Sequence, residues 1–311
     1  MTSASRLLPD SAEIAAAPAA APNAPPDPVS GFWSRLWQAL RVNRRLLLAI
    51  AVLLVIVLAS LLLPLLSPYD YYTPDLTQVS RAPSWQHLLG TDPLGRDLLV
   101  RIMWGCRISL AVGVFASLIS VVIGVSWGAI AGYAGGVVDS LMMRAVDVLY
   151  TVPFVPFVII LAVLFGRQLW LIFVAIGAVS WLDIARIVRG QTLTLRQREF
   201  IDAARVAGVG GTHIVFRHIV PNLLGIVAVY ATLTIPTVIL FEAFLSFLGM
   251  GVRPPLSSLG ALVADGASDM QAHPHLLIAP AIFLAVIVYC FNFIGDGLRD
   301  LLDPRSRSGS V

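Results

Sequence analysis

Hydrophobic positions along the chain form long uninterrupted runs, separated by shorter segments that carry the charges. Five runs contain no Asp, Glu, Lys or Arg, and they cover residues 46–66, 108–138, 148–166, 223–241 and 276–295. A helix needs about 20 residues to cross the roughly 30 Å hydrocarbon core of a bilayer. Each run is near or above that length, so the pattern predicts membrane-spanning helices.

A sixth apolar segment, residues 168–182, is shorter and continues past Asp183. We interpret it as the fourth of six spans, with one charge near its end. The fold expected from this pattern is an all-α polytopic membrane protein. In the second span, Gly124, Gly128 and Gly132 recur every four residues, which predicts close helix packing in lipid. A pore-lining role for this stripe is the alternative.

Composition agrees with a membrane protein, since 58% of the 311 residues are hydrophobic and 13% are charged. Soluble domains carry about 25% charged residues. Arginine supplies all 21 basic residues, and the absence of lysine excludes a phosphate-binding loop of the GxxxxGKS/T type on this chain. Lysine Schiff-base chemistry is excluded by the same absence.

The distribution of arginine orients the chain. With an internal N-terminus and six spans, the inner segments carry fifteen arginines and the outer segments six. Basic residues concentrate on the cytoplasmic side of membrane proteins, so both termini are expected in the cytoplasm. Asp183 then lies near the inner end of the fourth span and Glu242 near the outer end of the fifth. Either is a candidate substrate or proton site, but water is close at span ends, and we favour a structural role.

Four regions follow from these patterns. Residues 1–30 are rich in Ala and Pro and are expected to be disordered. Residues 31–108 contain an amphipathic stretch, predicted to be an interfacial helix, followed by the first span and a long outer loop. Residues 109–305 form the core with the remaining spans, and residues 306–311 form a C-terminal tail.

Residues 200–222, FIDAARVAGVGGTHIVFRHIVPN, interrupt the apolar pattern between the fourth and fifth spans. Helical spacing predicts a short helix with an Asp202–Arg205 pair, which the glycines from Gly208 onward end. Thr212 is expected to cap a second short helix, and Pro221 to limit it or start the next span. Without further information, a simple connecting loop at the membrane surface is an equal alternative.

The spacing within this segment resembles the EAA motif of ABC-importer permeases, which reads EAA, three residues, glycine, nine residues and I-x-L-P. Four positions match in register, namely Ala203, Ala204, Gly208 and Pro221. Three positions depart from the motif, and these are Asp202 for Glu, His218 for Ile and Val220 for Leu.

Three other segments are similar to the C-type permease of dipeptide, oligopeptide and nickel importers. They are GTDPLGRDLLVRIMWGCRISLAVG at residues 90–113, FEAFLSFLGMGV at 241–252 and FNFIGDGLRDLLDPR at 291–305. Leu259 departs from the pattern, since PPxxSLG stands where the family more often has PPxxSWG. The resemblance covers residues 40–305 and implies the type I ABC-importer permease fold.

In that family the EAA segment forms a cytoplasmic coupling helix between spans 4 and 5, which fits into a cleft of a separate ATPase subunit. The resemblance implies that ATP closes the ATPase dimer and that the attached spans move with it. The residues expected at this contact are Glu199, Asp202, Ala203, Ala204, Gly208, Val209 and Pro221.

The resemblance implies a permease subunit that transports di- or oligopeptides across a bacterial inner membrane and is not itself an enzyme. The expected partners are a second permease chain of the B type, two ATPase subunits or domains, an extracytoplasmic binding protein and membrane lipid, with no nucleic acid. No catalytic, cofactor or metal site is expected on this chain, because ATP and magnesium would bind the partner ATPase. The alternatives are a permease for nickel or another small solute, and a stand-alone proton-coupled transporter. A membrane-embedded enzyme ranks last, because neither HExxH nor GxSxG occurs.

Overall fold

The computed structural model describes residues 43–166, 168–252 and 254–302, and the regular elements in these ranges are helices. The tail at residues 1–30, the interfacial helix before residue 43 and the tail at residues 306–311 lie outside the described residues. The helices, numbered along the chain, are α1 Arg44–Leu66, α2 Leu98–Ala134, α3 Gly136–Tyr150, α4 Phe154–Phe165, α5 Leu169–Leu195, α6 Glu199–Val206, α7 Gly211–Ile214, α8 Val220–Phe247, α9 Leu259–Ser268 and α10 His275–Leu302, with a π-helical turn Val215–Ile219 joining α7 to α8.

Five helical stretches in the described part of the chain are long and apolar enough to cross a membrane. They are α1, α2, α5, the continuous stretch Gly211–Phe247 and α10. Helices α3 and α4 pass the same test only together, and they are bent by 81° relative to each other. Counting the bent pair as one span gives the six that the apolar runs predict.

The third predicted span, residues 148–166, is not one helix. Helix α3 ends at Tyr150, and α4 begins only at Phe154, after Pro153. The proline has no N–H to donate and disfavours helical geometry at the residue before it, so the chain breaks here despite its apolar character. The second span also differs, because α2 begins ten residues before the apolar run starts at residue 108, with Asp97 accepting a hydrogen bond from the Val100 amide as its N-cap.

The glycine stripe of α2 packs against α5, as predicted. A Cβ atom added at Gly124 would lie 2.7 Å from the Ile184 side chain, and one added at Gly132 would lie 2.8 Å from Thr192. Neither distance is tolerated by real side chains, so the helices approach this closely only because the residues are glycine. The pore-lining alternative is therefore not needed to explain the stripe.

Helix α1 lies at the edge of the bundle and is connected to α2 at one end. Pro64 lacks an N–H, so the Ser60 carbonyl four residues earlier has no helical donor. The Arg107 guanidinium of α2 donates to this carbonyl, and also donates to the Leu61 carbonyl at 2.7 Å. The same guanidinium lies 4.5 Å from the centre of the Trp104 ring.

Candidate functional site

Helix α6 carries its charges in the order that a helix dipole favours. Glu199 and Asp202 lie in its first turn and Arg205 in its last. The predicted pair is confirmed, because Arg205 Nη1 lies 2.9 Å from Asp202 Oδ1. The helix is therefore stabilised within itself, although it has only eight residues.

The end of α6 is fixed by Gly208, as predicted. Its φ of +78° lies in the left-handed region, where a side chain is strained. The Gly208 amide donates to the Arg205 carbonyl and the Val209 amide to the Ala204 carbonyl, both at 3.0 Å. This pattern of two bonds is the Schellman motif, which satisfies the last carbonyls of a helix and reverses the chain.

One side of α6 anchors it to the membrane helices. Ile201 is fully buried, and Ala204 and Val209 are half-buried beside it. They join an apolar cluster with residues of α2, α5, α7 and α8, whose fully or nearly fully buried members include Ala129, Val188, Ile214 and Ile219. Because this contact is apolar and buried, α6 and the helices around it are expected to move together.

The opposite side of α6 is exposed. Glu199, Asp202, Ala203 and Val206 recur at i, i+3, i+4 and i+7, and all four are exposed, with Val206 at 90%. We call these four residues the exposed face of α6. Gly208 is exposed at the adjoining turn, whereas the candidates Ala204 and Val209 point toward the core.

The second helix of this segment differs from the prediction. It begins at Gly211 with no side-chain cap, so the expected capping by Thr212 is wrong. It then continues through the π-helical turn into α8. Pro221 lies in the first turn of α8, so the second of its two expected roles, starting the next span, is confirmed. Since proline has no N–H to donate, the wider turn just before it accommodates the missing bond. Pro221 is exposed but does not lie on the exposed face of α6.

Glu242 lies near the other end of α8, and its side chain is fully buried. Its Oε2 accepts a hydrogen bond from the Ser109 hydroxyl of α2 at 3.0 Å, and its Oε1 accepts one from Ser246 at 2.8 Å. The expectation of nearby water was wrong, because hydroxyl groups of the protein surround the carboxylate instead. Nothing in the local sequence predicts this, since Ser109 is 133 residues away.

The serines around Glu242 connect it to the first turn of α9. Ser109 Oγ accepts a hydrogen bond from the Leu259 amide at 3.1 Å. The hydroxyl of Ser258, the N-cap residue of α9, lies 3.2 Å from that of Ser246. These contacts hold the first turn of α9 against α2 and α8. We call them the Glu242 network.

A set of ion pairs joins α9 and α2 to the loop before α2. Arg101 Nη1 and Arg96 Nε lie 2.6 and 2.7 Å from the Asp92 carboxylate, which is almost fully buried. Arg101 also donates to Ser257 at 3.3 Å, and its guanidinium lies 4.0 Å from Asp265 of α9. The loop that follows α1 is therefore attached to the same end of the bundle as the Glu242 network.

The loop is also ordered by His87, a residue that sequence patterns did not single out. Its Nδ1 lies 2.9 Å from Asp97 and its Nε2 2.8 Å from Gln78.

Hydrogen bonds from the Thr77 side chain and amide, and one from Gln78, lower the pKa of Asp75 in the same loop. The charged form of Asp75 is thus stabilised at neutral pH, and the turn that contains it is favoured.

Polar contacts at the α6 end hold α3 against α5. Arg189 donates to both oxygens of Asp139 at 2.6 and 2.7 Å. Asp183 accepts a hydrogen bond from Tyr150 and is exposed. Its exposure and this contact agree with the structural role that the sequence favours.

Comparison with known families decides the class of this chain. A model of the family described as "Binding-protein-dependent transport system inner membrane component" matches residues 124–308. The chain belongs to this family. A second model, described as the N-terminal TM domain of oligopeptide transport permease C, matches residues 31–83. Both matches confirm the resemblance drawn from the EAA-like segment and from the three other motifs.

Individual relatives agree. The chain is 55% identical over 246 residues to the oligopeptide transport system permease protein OppC of Haemophilus influenzae, covering 78% of this chain and 79% of that protein. It is 56% identical over the same length to OppC of Escherichia coli K12, covering 78% and 82%. It is 44% identical over 245 residues to the dipeptide permease DppC of Bacillus subtilis, covering 78% and 77%.

The fold also has a counterpart among solved structures. A chain of the MetNI methionine ABC transporter, in an inward-facing conformation, superposes with a TM-score of 0.54 at 21% identity. The match covers 66% of this chain and 97% of that one. The type I ABC-importer permease fold expected from the sequence is confirmed, and the protein is a multi-span component of the inner membrane.

Proposed function

We propose that this chain is a permease subunit that imports di- and oligopeptides and forms half of the translocation pathway. Its identity of 54–56% to the oligopeptide permeases OppC of Haemophilus influenzae, Escherichia coli and Salmonella typhimurium carries the proposal. A second permease chain forms the other half, an extracytoplasmic binding protein delivers the peptide, and ATP is hydrolysed on separate ATPase subunits. Both termini lie in the cytoplasm, in keeping with the arginine distribution.

The exposed face of α6 is the contact that the ATPase makes. It combines the carboxylates of Glu199 and Asp202 with Ala203 and the exposed Val206. Among the described residues, these carboxylates form one ion pair, between Asp202 and Arg205. Beside it lies an open cavity of about 510 Å³, lined by Leu193, Arg196, Gln197, Asp202 and Arg205. Protein interfaces combine an apolar centre with a polar rim, and the exposed Val206 beside this polar cavity fits that arrangement.

Movement of α6 is transmitted along a single helical stretch. The stretch Gly211–Phe247 has 37 residues, about 55 Å of helix at 1.5 Å per residue. Its first turns share the apolar cluster with α6, and its far end carries Glu242. ATP-driven displacement of α6 therefore changes the position of α9 and the opening of the pathway at the opposite membrane surface.

The variant Val206→Asp tests the proposal in the assembled complex, reconstituted in proteoliposomes. Val206 is 90% exposed, so the substitution leaves the permease fold intact while placing a desolvated charge in the interface. We expect ATP-driven uptake of a labelled peptide to fall at least tenfold, and the ATPase to dissociate more readily. Val206→Ala is the matched control and is expected to retain most activity.

Two results contradict the proposal. If the Val206→Asp complex took up peptide at an unchanged rate, the assignment of α6 to the ATPase contact would be wrong. Uptake by the permease under a proton gradient, with no ATPase present, would favour a stand-alone secondary transporter. The substrate is tested separately by isothermal titration of the associated binding protein with peptides and with nickel chelates, where binding of nickel alone contradicts the peptide assignment.

A further inference from the structure

A groove separates α1 from α10 at the end of the bundle that carries α6. Its location follows from two contacts, since Arg107 attaches the far end of α1 to α2, and Leu46 near the start of α1 packs at Gly297 of α10. The groove has a volume of about 300 Å³. Its lining comprises Arg45, Leu48, Ala49 and Val52 of α1 and Val286, Tyr289, Cys290 and Phe293 of α10.

The walls of the groove face the surroundings of the bundle. Helix α1 is buried along one stripe only, which includes Leu46 and Ala49, and the remainder of its surface is exposed and apolar. Leu48 is 64% exposed and Tyr289 63%. The rings of Tyr289 and Phe293 lie 4.4 Å apart and form one side wall. In a membrane protein such a surface contacts lipid acyl chains.

Of the residues that the structure describes, Arg45 is the one charged residue that lines the groove. Within the described residues, neither Arg44 nor Arg45 forms an ion pair or a side-chain hydrogen bond. The nearest carboxylates along α10, Asp296 and Asp300, are exposed and form no ion pair with Arg45 either. An arginine without a partner at a membrane boundary is complementary to an anionic headgroup.

We propose that this groove binds one anionic phospholipid of the inner leaflet. One acyl chain fills the space between α1 and α10, and the phosphate contacts Arg45. Apolar contact and charge complementarity then act at the same site, as in other basic pockets between membrane helices. The assignment of the lipid to the inner leaflet rests on the proposed orientation, with both termini in the cytoplasm. The binding of a lipid in the groove does not depend on that orientation.

The lipid would stabilise the end of α1 at which, among the described residues, no side-chain polar contact joins it to another helix. The opposite end of α1 is held by Arg107, which donates to two of its carbonyls. At the groove, contacts between α1 and α10 are apolar and leave a gap. A bound acyl chain supplies the missing contacts, so its loss is expected to loosen α1 without affecting α6.

Native mass spectrometry of the full permease complex tests the site. The complex is equilibrated with nanodiscs of phosphatidylglycerol or phosphatidylcholine, and the lipid retained per complex is counted. We expect preferential retention of phosphatidylglycerol, reduced about fivefold by Arg45→Gln, since one basic residue near an anionic surface contributes about that factor. Arg144→Gln, at an exposed arginine of α3 outside the groove, is the matched control and is expected to change nothing.

The outcomes separate this site from the proposed transport function. Equal retention of the two lipids, or an equal loss in both variants, would overturn the lipid site while leaving peptide transport untouched. Tyr289→Cys, combined with Cys106→Ala and Cys290→Ala so that the label reaches one thiol of this chain, is labelled with a benzophenone maleimide and identifies the occupant directly by photo-crosslinking. An adduct with phospholipid supports the proposal. An adduct with the second permease chain, or with this chain's own residues 31–40, contradicts it.

Discussion

At the scale of single residues, the turn after α6 depends on backbone geometry rather than on contacts. Gly208 and Gly210 are both exposed, and a Cβ atom at either position would meet nothing within 4 Å. They differ in φ, which is +78° at Gly208 and −63° at Gly210. Alanine substitutions at these two positions, which Val209 separates, therefore distinguish backbone strain from steric contact.

We expect Gly208→Ala to impair coupling and Gly210→Ala to leave it unchanged. A left-handed alanine costs about 1–2 kcal/mol, which corresponds to about a 5- to 30-fold shift in the population of the correct turn. ATP-stimulated peptide uptake measures the effect, and the amount of assembled complex in the membrane serves as the control for folding. Similar activity of the two variants would show that the left-handed turn is not required.

The contacts of single residues could be predicted from the sequence only where the contacting residues are close together in the chain. The Asp202–Arg205 pair and the helix end at Gly208 follow from spacing within one turn of chain. The environment of Glu242 does not, because its hydroxyl partner Ser109 comes from another helix. The absence of a cap from Thr212 has the same origin, since burial of Ile214 in the apolar cluster, rather than a side-chain cap, positions that helix.

At the scale of elements, the apolar runs predicted the spans because a helix satisfies all of its backbone hydrogen bonds within one continuous apolar segment. They failed at helix ends that carry charge. The outer turns of α2 contain Arg101 and Arg107, which terminate an apolar run but not a helix. Their partners in α1 and α9 are distant in sequence, and Asp92 lies in the irregular loop before α2, so no helical pattern reveals these contacts.

The contact between Arg107 and α1 yields a prediction at this scale. Arg107→Met leaves the Ser60 carbonyl without a donor and is expected to destabilise the complex by about 1–3 kcal/mol. Pro64→Ala restores an N–H four residues after Ser60, so the same arginine substitution is expected to cost much less in that background. Thermal unfolding of the four variants of this double-mutant cycle gives the coupling energy. Additive effects would mean that the guanidinium does not replace the missing amide.

At the scale of the whole molecule, one long helical stretch joins two different surroundings. Near Gly211 it shares an apolar cluster with α6, and near Glu242 it meets α9 through hydrogen bonds. Ion pairs of Arg101 extend the second contact to the loop through Asp92 and Asp265. The α6 end is held by apolar packing, whereas the Glu242 end is held by specific hydrogen bonds that can exchange partners, so the end with Glu242 is suited to switching between two states.

This asymmetry predicts different defects from substitutions at the two ends. Glu242→Gln replaces one carboxylate oxygen, which accepts a hydrogen bond from a serine hydroxyl, with an NH2 group, which can only donate. The Glu242 network therefore loses one hydrogen bond, while the side chain keeps its size and the helix its shape. We expect the complex to hydrolyse ATP at a near-normal rate but to import less peptide, raising the ATP consumed per peptide severalfold.

Val206→Asp, at the α6 end, is expected to lower two quantities together, namely peptide uptake and the ATP hydrolysis that the binding protein stimulates. Both quantities are measured in the same proteoliposomes. A proportional loss of hydrolysis and uptake in Glu242→Gln would mean that its network supports the fold of the pathway without linking the motion of α8 to that of α9.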